Sequence, residues 1–294
     1  MTRVDLPSGA RPTDPSAEGR TYTAVDVFTD TPLLGNPLAV VHDAQGLSDA
    51  QMAAFARWTN LSETTFLLPP TDASADYRVR IFTPRRELPF AGHPTLGSCH
   101  AWLAAGGVPL HGDEVVQQCA AGLIRVRRSG TRLAFAAPPC VRIGPLEPEL
   151  LDRIVAALKL HADEVLDHQW VDNGPGWSAI RLASAEQVLA LEPDWAALAG
   201  IKLGVIGMHA SGRDARFEVR ALIGEGAGYE DPVTGSLNAS LAQWLIGAGV
   251  APAAYVAAQG ERLARRGRVH VEQLDGQVWV GGHSVACVRG RLVL

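Results

Sequence analysis

The sequence predicts an α+β protein with two similar domains, each a β-barrel-like sheet wrapped around a central helix. The first observation is a hexapeptide that occurs twice, as HPTLGS at residues 93–98 and as DPVTGS at residues 231–236. The second is its context, because an alternating strand pattern precedes each copy, at 77–82 and 216–222, and an apolar helix follows it. The third is the length of 294 residues, which suggests about two domains. We therefore expect a duplicated fold.

The Ala-Pro-Pro segment at 137–139 is the natural linker between the two units. We expect a disordered N-terminal tail at residues 1–20, a first barrel-helix domain at 21–137 and a second one at 138–294. The last strand of the second domain is expected to cross back to the first. The tail is rich in Pro, Ser, Asp and Arg and lacks the apolar core of a signal peptide.

Composition narrows the class of protein. With 47% hydrophobic residues, 19% charged residues and a mean hydropathy of +0.06, the chain has the composition of a soluble globular protein. Its net charge of −5 argues against a nucleic-acid partner, because phosphate binding needs a basic face. No apolar run reaches the length of a membrane span, and the four cysteines lack zinc-ligand spacing. We expect a cytoplasmic protein with no metal and no membrane partner.

The first half is predicted to consist of short strands and two helices. Alternation and β-branching predict a strand at 21–28, and a Gly-Asn-Pro turn leads into a second strand at 38–41. Ser48 and Gln51 form a capping box for a helix that runs to about Trp58. The remaining elements are a strand at 60–68 that contains Glu63, the strand from Tyr77, the first repeat helix, and strands near Val115, at 123–127 and at 133–136.

The second half is predicted to follow a similar plan. A helix with proline near its start runs from about Leu146 to Leu160, and a second capping box, Ser184 with Gln187, begins another helix. Apolar residues surround most of both repeat helices, which predicts that each is enclosed by its own sheet. Strands are predicted near Trp170, at 177–182, at 204–210, from Phe217, and at 256–259, 268–272, 277–281 and 284–289.

The starts of the two repeat helices are candidate anion sites. Small residues there leave backbone N–H groups unpaired at the positive end of the helix dipole, which favours a carboxylate or phosphate. These residues are Gly92 at the first helix and Thr234, Gly235 and Ser236 at the second. The hydroxyls of Thr234 and Ser236 either bind a substrate oxygen or cap helix amides, and the sequence favours neither role.

Three ionisable residues are candidates for catalysis. Glu63 has apolar neighbours, and burial raises a carboxyl pKa toward the range useful for acid-base chemistry; otherwise it is an outward-facing strand residue. His93 stands before a helix, where the dipole favours a neutral ring that can relay a proton; otherwise it is a capping or loop histidine. Asp231 has the place in the second hexapeptide that His93 has in the first; otherwise it is a helix N-cap.

Other site types lack support. The sequence has no G-x-S-x-G elbow, no Walker loop and no strand-linked G-x-G-x-x-G, which argues against a serine hydrolase and a nucleotide cofactor. The histidines at 209, 270 and 283 lie in or beside predicted strands and are interpreted as structural. Asn36 is a turn residue by default.

The sequence resembles the PhzF-like isomerases of phenazine biosynthesis, which belong to the diaminopimelate epimerase-like fold. The resemblance covers residues 22–294 and is carried, in order, by VDVF at 25–28, GNP at 35–37, LSETTF at 61–66, FTP at 82–84, GHPT at 92–95, EDPVTGS at 230–236, QG at 259–260 and GGH at 281–283. It implies two barrel-and-helix domains facing each other across a cleft, a homodimer, and no metal or organic cofactor.

The resemblance also implies roles for residues. Glu63 matches the acid-base carboxylate of the family, and His93, Asp231 and Ser236 match its other polar active-site groups. The candidate substrate-binding residues lie in the same motifs: Asn36, Ser62, Gly92, Thr234, Gly235 and Ser236. No cysteine occupies the position of His93 or Asp231, which speaks against a two-thiol racemase. The chain lacks the Arg-Pro-Ser pattern expected after the QG motif, which leaves the substrate open.

The functional hypothesis is a cofactor-free isomerase of a small carboxylate, in which Glu63 moves a proton between nearby carbons. One carboxylate acting on one face favours a 1,3-type shift, whereas epimerisation needs groups on opposite faces. Two alternatives stay open: a two-base epimerase or racemase that uses Glu63 with His93 or Asp231, and a non-enzymatic protein that binds small anions on an inherited fold.

Overall fold

The computed structural model describes residues 19–294. The disordered tail is predicted at residues 1–20, and its first 18 residues lie outside the described part of the chain. Arg20 already begins the first strand, one residue before the predicted domain boundary. No helix in the described part of the chain is long and apolar enough to cross a membrane.

Residues 19–294 form 18 strands and five α-helices. The first part of the chain contains β1 (Arg20–Val27), β2 (Asn36–Val41), α1 (Asp49–Thr59), β3 (Thr64–Leu68), β4 (Tyr77–Phe82), β5 (Glu87–Leu88), α2 (Gly92–Ala104), β6 (Glu114–Cys119), β7 (Gly122–Ser129), β8 (Arg132–Ala136) and β9 (Arg142–Gly144). The second part contains α3 (Pro148–Ala157), β10 (Asp167–Asp172), β11 (Trp177–Ser184), α4 (Ala185–Ala190), β12 (Lys202–Met208), β13 (Phe217–Ile223), β14 (Tyr229–Asp231), α5 (Gly235–Gly247), β15 (Ala254–Gln259), β16 (Gly267–Leu274), β17 (Gln277–Gly282) and β18 (Ser284–Leu292).

The two parts repeat one order of strand pairings. β1 and β2 are antiparallel, β2 and β3 parallel, β3 and β4 antiparallel, β4 and β6 parallel, and β6, β7 and β8 antiparallel. The strands β10, β11, β12, β13, β15, β16 and β17 pair in the same order of directions. Helices occupy corresponding places, with α1 before β3 and α4 before β12, and with α2 before β6 and α5 before β15. The repeated order agrees with a duplicated fold, while the boundary at 137–138 stays a prediction.

Three pairings join the two parts into one sheet. β18 pairs antiparallel along the whole of β1, β9 pairs with β10, and β17 pairs with β8. β9 was absent from the predicted elements because its three residues are too few to show an alternating pattern. The last strand of the chain is therefore held beside the first.

The helices α2 and α5 lie inside the sheet. Each has 13 residues, nine of them buried. α2 contacts β1, β2, β3, β6, β8 and β18, and α5 contacts β10, β16 and β17. Their apolar side chains belong to one core cluster that draws on both parts of the chain, from Val25 to Val280. Burial on nearly every side explains why neither helix has a distinct polar face.

The hexapeptide repeat does not coincide with the helix starts. The first copy lies wholly within α2, which begins at Gly92, whereas only the last two residues of the second copy lie in α5. The residues before them form the end of β14 and a turn. The helices match Gly92 with Gly235, so His93 corresponds to Ser236, and the expected equivalence of His93 with Asp231 is wrong. Short similar peptides can arise in different local structures, and here the element order is the better guide.

Candidate active site

Glu63 lies on the short connection between α1 and β3. α1 ends at Thr59, its C-cap residue Asn60 has a φ of 54° that turns the chain out of the helix, and β3 begins at Thr64. The strand predicted over 60–68 is therefore wrong at its start, and Glu63 is not a strand residue. Its side chain is 16% exposed. Burial, with a smaller effect from the charge of Asp231, raises the pKa of Glu63 to about 8.

His93 stands in the first turn of α2 and faces Glu63. Its Nε2 lies 3.4 Å from Oε2 of Glu63, and its side chain is buried. Burial lowers the pKa of His93 to about 3, so the ring is neutral. The 3.4 Å contact falls in ion-pair range but lacks the geometry of a hydrogen bond, and neither atom has a hydrogen-bond partner among residues 19–294. The hydrogen-bonding capacity of both atoms is therefore unused within the described residues.

Asn36 fixes the orientation of the histidine ring. Its Nδ2 donates to the carbonyl of Val233 at 2.8 Å, which identifies the nitrogen end of the amide. The same Nδ2 lies 3.4 Å from Nδ1 of His93. Because an amide nitrogen only donates, Nδ1 is the acceptor of this long contact and the ring proton is on Nε2, toward Glu63; the two hydrogens of Nδ2 are shared among Val233, Asp231 and His93. The Oδ1 of Asn36 is buried and has no partner in the described part of the chain.

Asp231 ends β14 and has both carboxylate oxygens engaged. Asn36 Nδ2 and Ser62 Oγ each donate to Oδ1 at 3.3 Å. Thr234 Oγ1 donates to Oδ2 at 2.5 Å. Burial raises the pKa of Asp231 to about 6, against the opposite effect of these three hydrogen bonds. Thr234, rather than Asp231, is the N-cap residue of α5.

The two repeat helices begin against each other. A Cβ on Gly92 would lie 3.1 Å from Cα of Gly235, and a Cβ on Gly235 would lie 3.1 Å from Cα of Gly92 and 3.2 Å from the backbone nitrogen of His93. Only glycine permits this approach. No side chain in the described residues caps either helix, so first-turn amides of both helices point to one place with the positive ends of their dipoles.

Ser236 belongs to this junction as the second residue of α5. Its Oγ accepts a hydrogen bond from Trp177 Nε1 at 3.1 Å, which leaves the hydroxyl proton for another acceptor. Asn173 Nδ2 donates to the Ser236 carbonyl at 2.9 Å. Sequence reasoning missed Asn173 and Trp177, since neither stands in a recognisable pattern.

Gln259 is a further residue without a predicted role. Its side-chain oxygen accepts from the Thr234 backbone N–H at 3.0 Å, and its amide nitrogen donates to the Asp231 carbonyl at 3.1 Å and to Thr234 Oγ1 at 3.0 Å. Gln259 is 1% exposed. It therefore holds the turn between β14 and α5, and it fills one acceptor position of the Thr234 hydroxyl, whose proton is donated to Asp231. The QG motif was the signal that could have identified it.

All the predicted site residues meet in one place. The polar contacts link Glu63, His93, Asn36, Asp231, Ser62 and Thr234, and the helix junction adds Gly92, Gly235 and Ser236. Within residues 19–294, no group of three or more His, Cys, Asp and Glu side chains has an arrangement that suits a metal ion.

Comparison with known proteins identifies the family. The family model for the phenazine biosynthesis-like proteins matches residues 25–290. The chain is similar to antisense-enhancing sequence 1 of Schizosaccharomyces pombe, with 33% identity over 290 residues, covering 92% of this chain and 97% of the relative. It is also 33% identical over 290 residues to the trans-2,3-dihydro-3-hydroxyanthranilate isomerase of Pseudomonas fluorescens, covering 93% and 99% of the two chains.

A solved structure agrees with these matches. The crystal structure of a PhzF-family phenazine biosynthesis protein from Enterococcus faecalis superposes with a TM-score of 0.78 and 25% identity, covering 94% of this chain and all of that one. Curated relatives from Pasteurella multocida and two Pseudomonas species carry isomerase names, so the protein is an isomerase. The chain belongs to the phenazine biosynthesis-like protein family, the PhzF family.

Proposed function

We propose that the protein catalyses a cofactor-independent 1,3-type proton shift on a small carboxylate, with Glu63 removing and returning the proton. One observation carries the proposal: Glu63 Oε2 is buried, without a hydrogen-bond partner in the described residues, and next to the neutral ring of His93. A carboxyl with a pKa of about 8 is a stronger base than an exposed one and still exchanges its proton near neutral pH.

The site favours one base rather than two. Both oxygens of Asp231 already accept hydrogen bonds, from Asn36 and Ser62 at Oδ1 and from Thr234 at Oδ2. Burial lowers the pKa of His93 to about 3, which makes this ring a weak base. An epimerase needs a second group able to donate or accept a proton on the opposite face, and neither residue suits that role.

The proposed reaction conserves atoms and electrons. The ionised Glu63 takes a proton from a substrate carbon next to a double bond. The C–H electron pair forms a new double bond to the adjacent carbon, and the π electrons of the original double bond move to the carbon two positions away. Glu63 then delivers the proton to the carbon two positions away, on the same face. The Nε2–H of His93 faces the Glu63 carboxylate at 3.4 Å, and a small shortening of this distance during the transfer would give a hydrogen bond that stabilises the ionised form.

The helix junction is the proposed binding place for the substrate carboxylate. The first-turn amides of α2 and α5, together with the Ser236 hydroxyl, supply donors at two positive dipole ends. Since these donors are fixed by the backbone, they also stabilise negative charge that spreads from the reacting carbon onto the carboxylate.

The substrate, the assembly and the compartment are further parts of the proposal. One relative is named for the isomerisation of trans-2,3-dihydro-3-hydroxyanthranilate, a small unsaturated carboxylate, so this compound is the first to test. From the family resemblance we propose a homodimer in the cytoplasm. Light scattering of the purified chain measures the oligomeric state directly.

Solvent isotope exchange tests the proposed reaction. A panel of small unsaturated carboxylates, including the compound named above, is incubated with the protein in D₂O and analysed by NMR and mass spectrometry. We expect a shifted double-bond isomer that carries deuterium at the carbon that gains a proton in those turnovers in which the Glu63 carboxyl exchanges with D₂O before delivery, and hydrogen in the others. Glu63→Gln should abolish incorporation, and Glu149→Gln, an exposed carboxylate of α3, should not.

Two outcomes would contradict the proposal. Deuterium at a carbon whose configuration inverts, with the double bond unmoved, would establish two-base epimerisation. Exchange of substrate hydrogen with solvent that persists in Glu63→Gln would mean that another group is the base.

A further inference from the structure

A second cavity lies away from the candidate active site. Its volume is about 530 Å³, within the range of about 300–1,000 Å³ typical of small-molecule sites. It is lined by β7, β8, β15, β16 and β17, and none of its lining residues belongs to the site around Glu63. Its lining residues Ala134, Trp279 and Gly281 alternate along β8 and β17 with core residues such as Phe135 and Val280, so this part of the lining faces away from the core.

The strand register explains why this face is concave. Arg127 of β7 pairs with Ala134 of β8, which pairs with Gly281 of β17, which pairs with His270 of β16. The four residues thus form one row across the sheet. The two middle residues, Ala134 and Gly281, are small, while the two outer ones are large. The row therefore forms a depression between Arg127 and His270.

The walls of the cavity carry hydrogen-bond donors in fixed positions. The guanidinium carbon of Arg127 lies 3.8 Å from the centroid of the Trp279 ring, a cation–π contact that holds the side chain over the indole. Arg132 donates to Nδ1 of His270 at 2.9 Å. Because arginine cannot accept, Nδ1 is the acceptor and the second ring nitrogen, Nε2, carries the proton.

Trp279 supplies a donor without an acceptor. The residue is 4% exposed, and its Nε1–H is buried with no hydrogen-bond partner among residues 19–294. Buried indole N–H groups usually have an acceptor, because burial of an unpaired donor is unfavourable. Trp279 lines the cavity, and a small movement of the indole that opens this N–H to the cavity would let a ligand supply the acceptor.

The charges around the cavity favour an anion. Arg127, Arg128 and Arg132 line it, against Glu272 as the one carboxylate of the lining. Within the described residues, none of these three arginines forms an ion pair with a carboxylate. Arg125, on the same strand, differs because its guanidinium pairs with Glu114 at 2.6 Å.

We propose that this cavity binds a small organic anion through an oxyanion group, a carboxylate or a phosphate, held by Arg127, Arg132 and the Trp279 indole N–H. The guanidinium groups match the planar geometry of oxyanions. The apolar part of the lining, which includes Ala134 and Val256, accommodates the organic part of the ligand.

Titration with inorganic phosphate and with citrate tests the proposal. Binding is followed by calorimetry at low salt and by the indole N–H resonance of Trp279, assigned by its loss in Trp279→Phe. We expect saturable one-site binding, a saturable shift of that resonance, and affinity about tenfold weaker in Arg127→Gln. Trp279→Phe should also bind more weakly, and Arg125→Gln should bind like the wild type. The tighter probe identifies phosphate or carboxylate as the preferred group.

Several results would overturn the proposal. If neither phosphate nor citrate shifts the Trp279 resonance in the wild-type protein, the proposal is wrong, and no variant is needed to show it. Equal affinity of Arg127→Gln and Arg125→Gln for the probes would mean that the attraction is nonspecific. Dissociation of a dimer in Arg127→Gln, without a change in anion binding, would make the face an interface between copies of the chain.

Discussion

Gly92 and Gly235, the first residues of α2 and α5, touch each other so closely that a Cβ on either would lie 3.1 Å from the Cα of the other. Two helices that belong to different parts of the chain therefore begin at one place. This contact brings His93, the second residue of α2, beside Ser236, the second residue of α5. The candidate site is a direct product of that junction.

Gly235→Ala tests the junction. The added Cβ would lie 3.1–3.3 Å from backbone atoms of Gly92 and His93, which cannot yield as a flexible side chain can. We expect a loss of about 1–3 kcal/mol in the free energy of unfolding, and weaker substrate binding. Urea denaturation measures the first. Gly247→Ala, in the last position of α5 with no atom within 4 Å of its new Cβ, should leave substrate binding unchanged and the free energy of unfolding equal or higher by up to about 1 kcal/mol. Equal stability of the two variants would mean that the helices do not meet as described.

The dependence of kcat/KM on pH should show the raised pKa of Glu63. The ionised form accepts the substrate proton, so kcat/KM should rise with pH, reach half of its plateau near pH 8 and level off about one pH unit higher. The smaller cause of that raised pKa is the charge of Asp231, so Asp231→Asn should move the inflection to lower pH. The two carboxyls titrate as a coupled pair, and the measured values belong to the pair. A kcat/KM that falls between pH 6 and 8 would contradict this account.

Glu63 should also make stability depend on pH. Its pKa rises from 4.5 to about 8 on folding, so within that window the folded protein binds a proton that the unfolded chain has lost. Stability from this group is therefore present below pH 4.5 and is lost as the pH rises to 8, by at most about 1.4 kcal/mol per unit. We expect Glu63→Gln to be about 2–4 kcal/mol more stable than the wild type at pH 8, and similar at pH 4.5. Denaturation at both pH values checks this, and parallel curves for the two proteins would contradict it.

Ser236→Ala should weaken binding of the substrate carboxylate. The Ser236 hydroxyl accepts from Trp177, and its own proton is free for a carboxylate oxygen. Loss of one hydrogen bond to a charged group costs about 1.5–3 kcal/mol, which appears as a higher dissociation constant. Ser240→Ala is the matched control, because that hydroxyl donates to the Ser236 carbonyl one turn further along α5. Equal binding by the two variants would remove Ser236 from the carboxylate site.

The sequence predicts the local structure well where the signal is local. Both capping boxes, at Ser48 and Ser184, are present, and the two apolar repeat helices are buried within the sheet. Polar residues in short motifs also identify the site, since Asn36 and Asp231 are brought into contact although they are far apart in the chain.

The parts that the sequence does not predict depend on long-range contacts. The pairing of β18 with β1 and the hydrogen bonds of Gln259 to the turn before α5 join distant segments, and no local pattern encodes them. The repeated hexapeptide predicts the wrong equivalence, His93 with Asp231, for the same reason. Its likeness is local, whereas the equivalence of Gly92 with Gly235 follows from the order of the elements.

Turnover and ligand affinity of Glu63→Gln test the central claim most directly. The amide keeps the size and hydrogen-bonding capacity of the side chain but cannot accept the substrate proton. We expect turnover to fall by about 10²–10⁴-fold, with a dissociation constant for the substrate close to that of the wild type. Near-normal exchange of substrate hydrogen with solvent in Glu63→Gln would show that Glu63 is not the base, and would contradict the account.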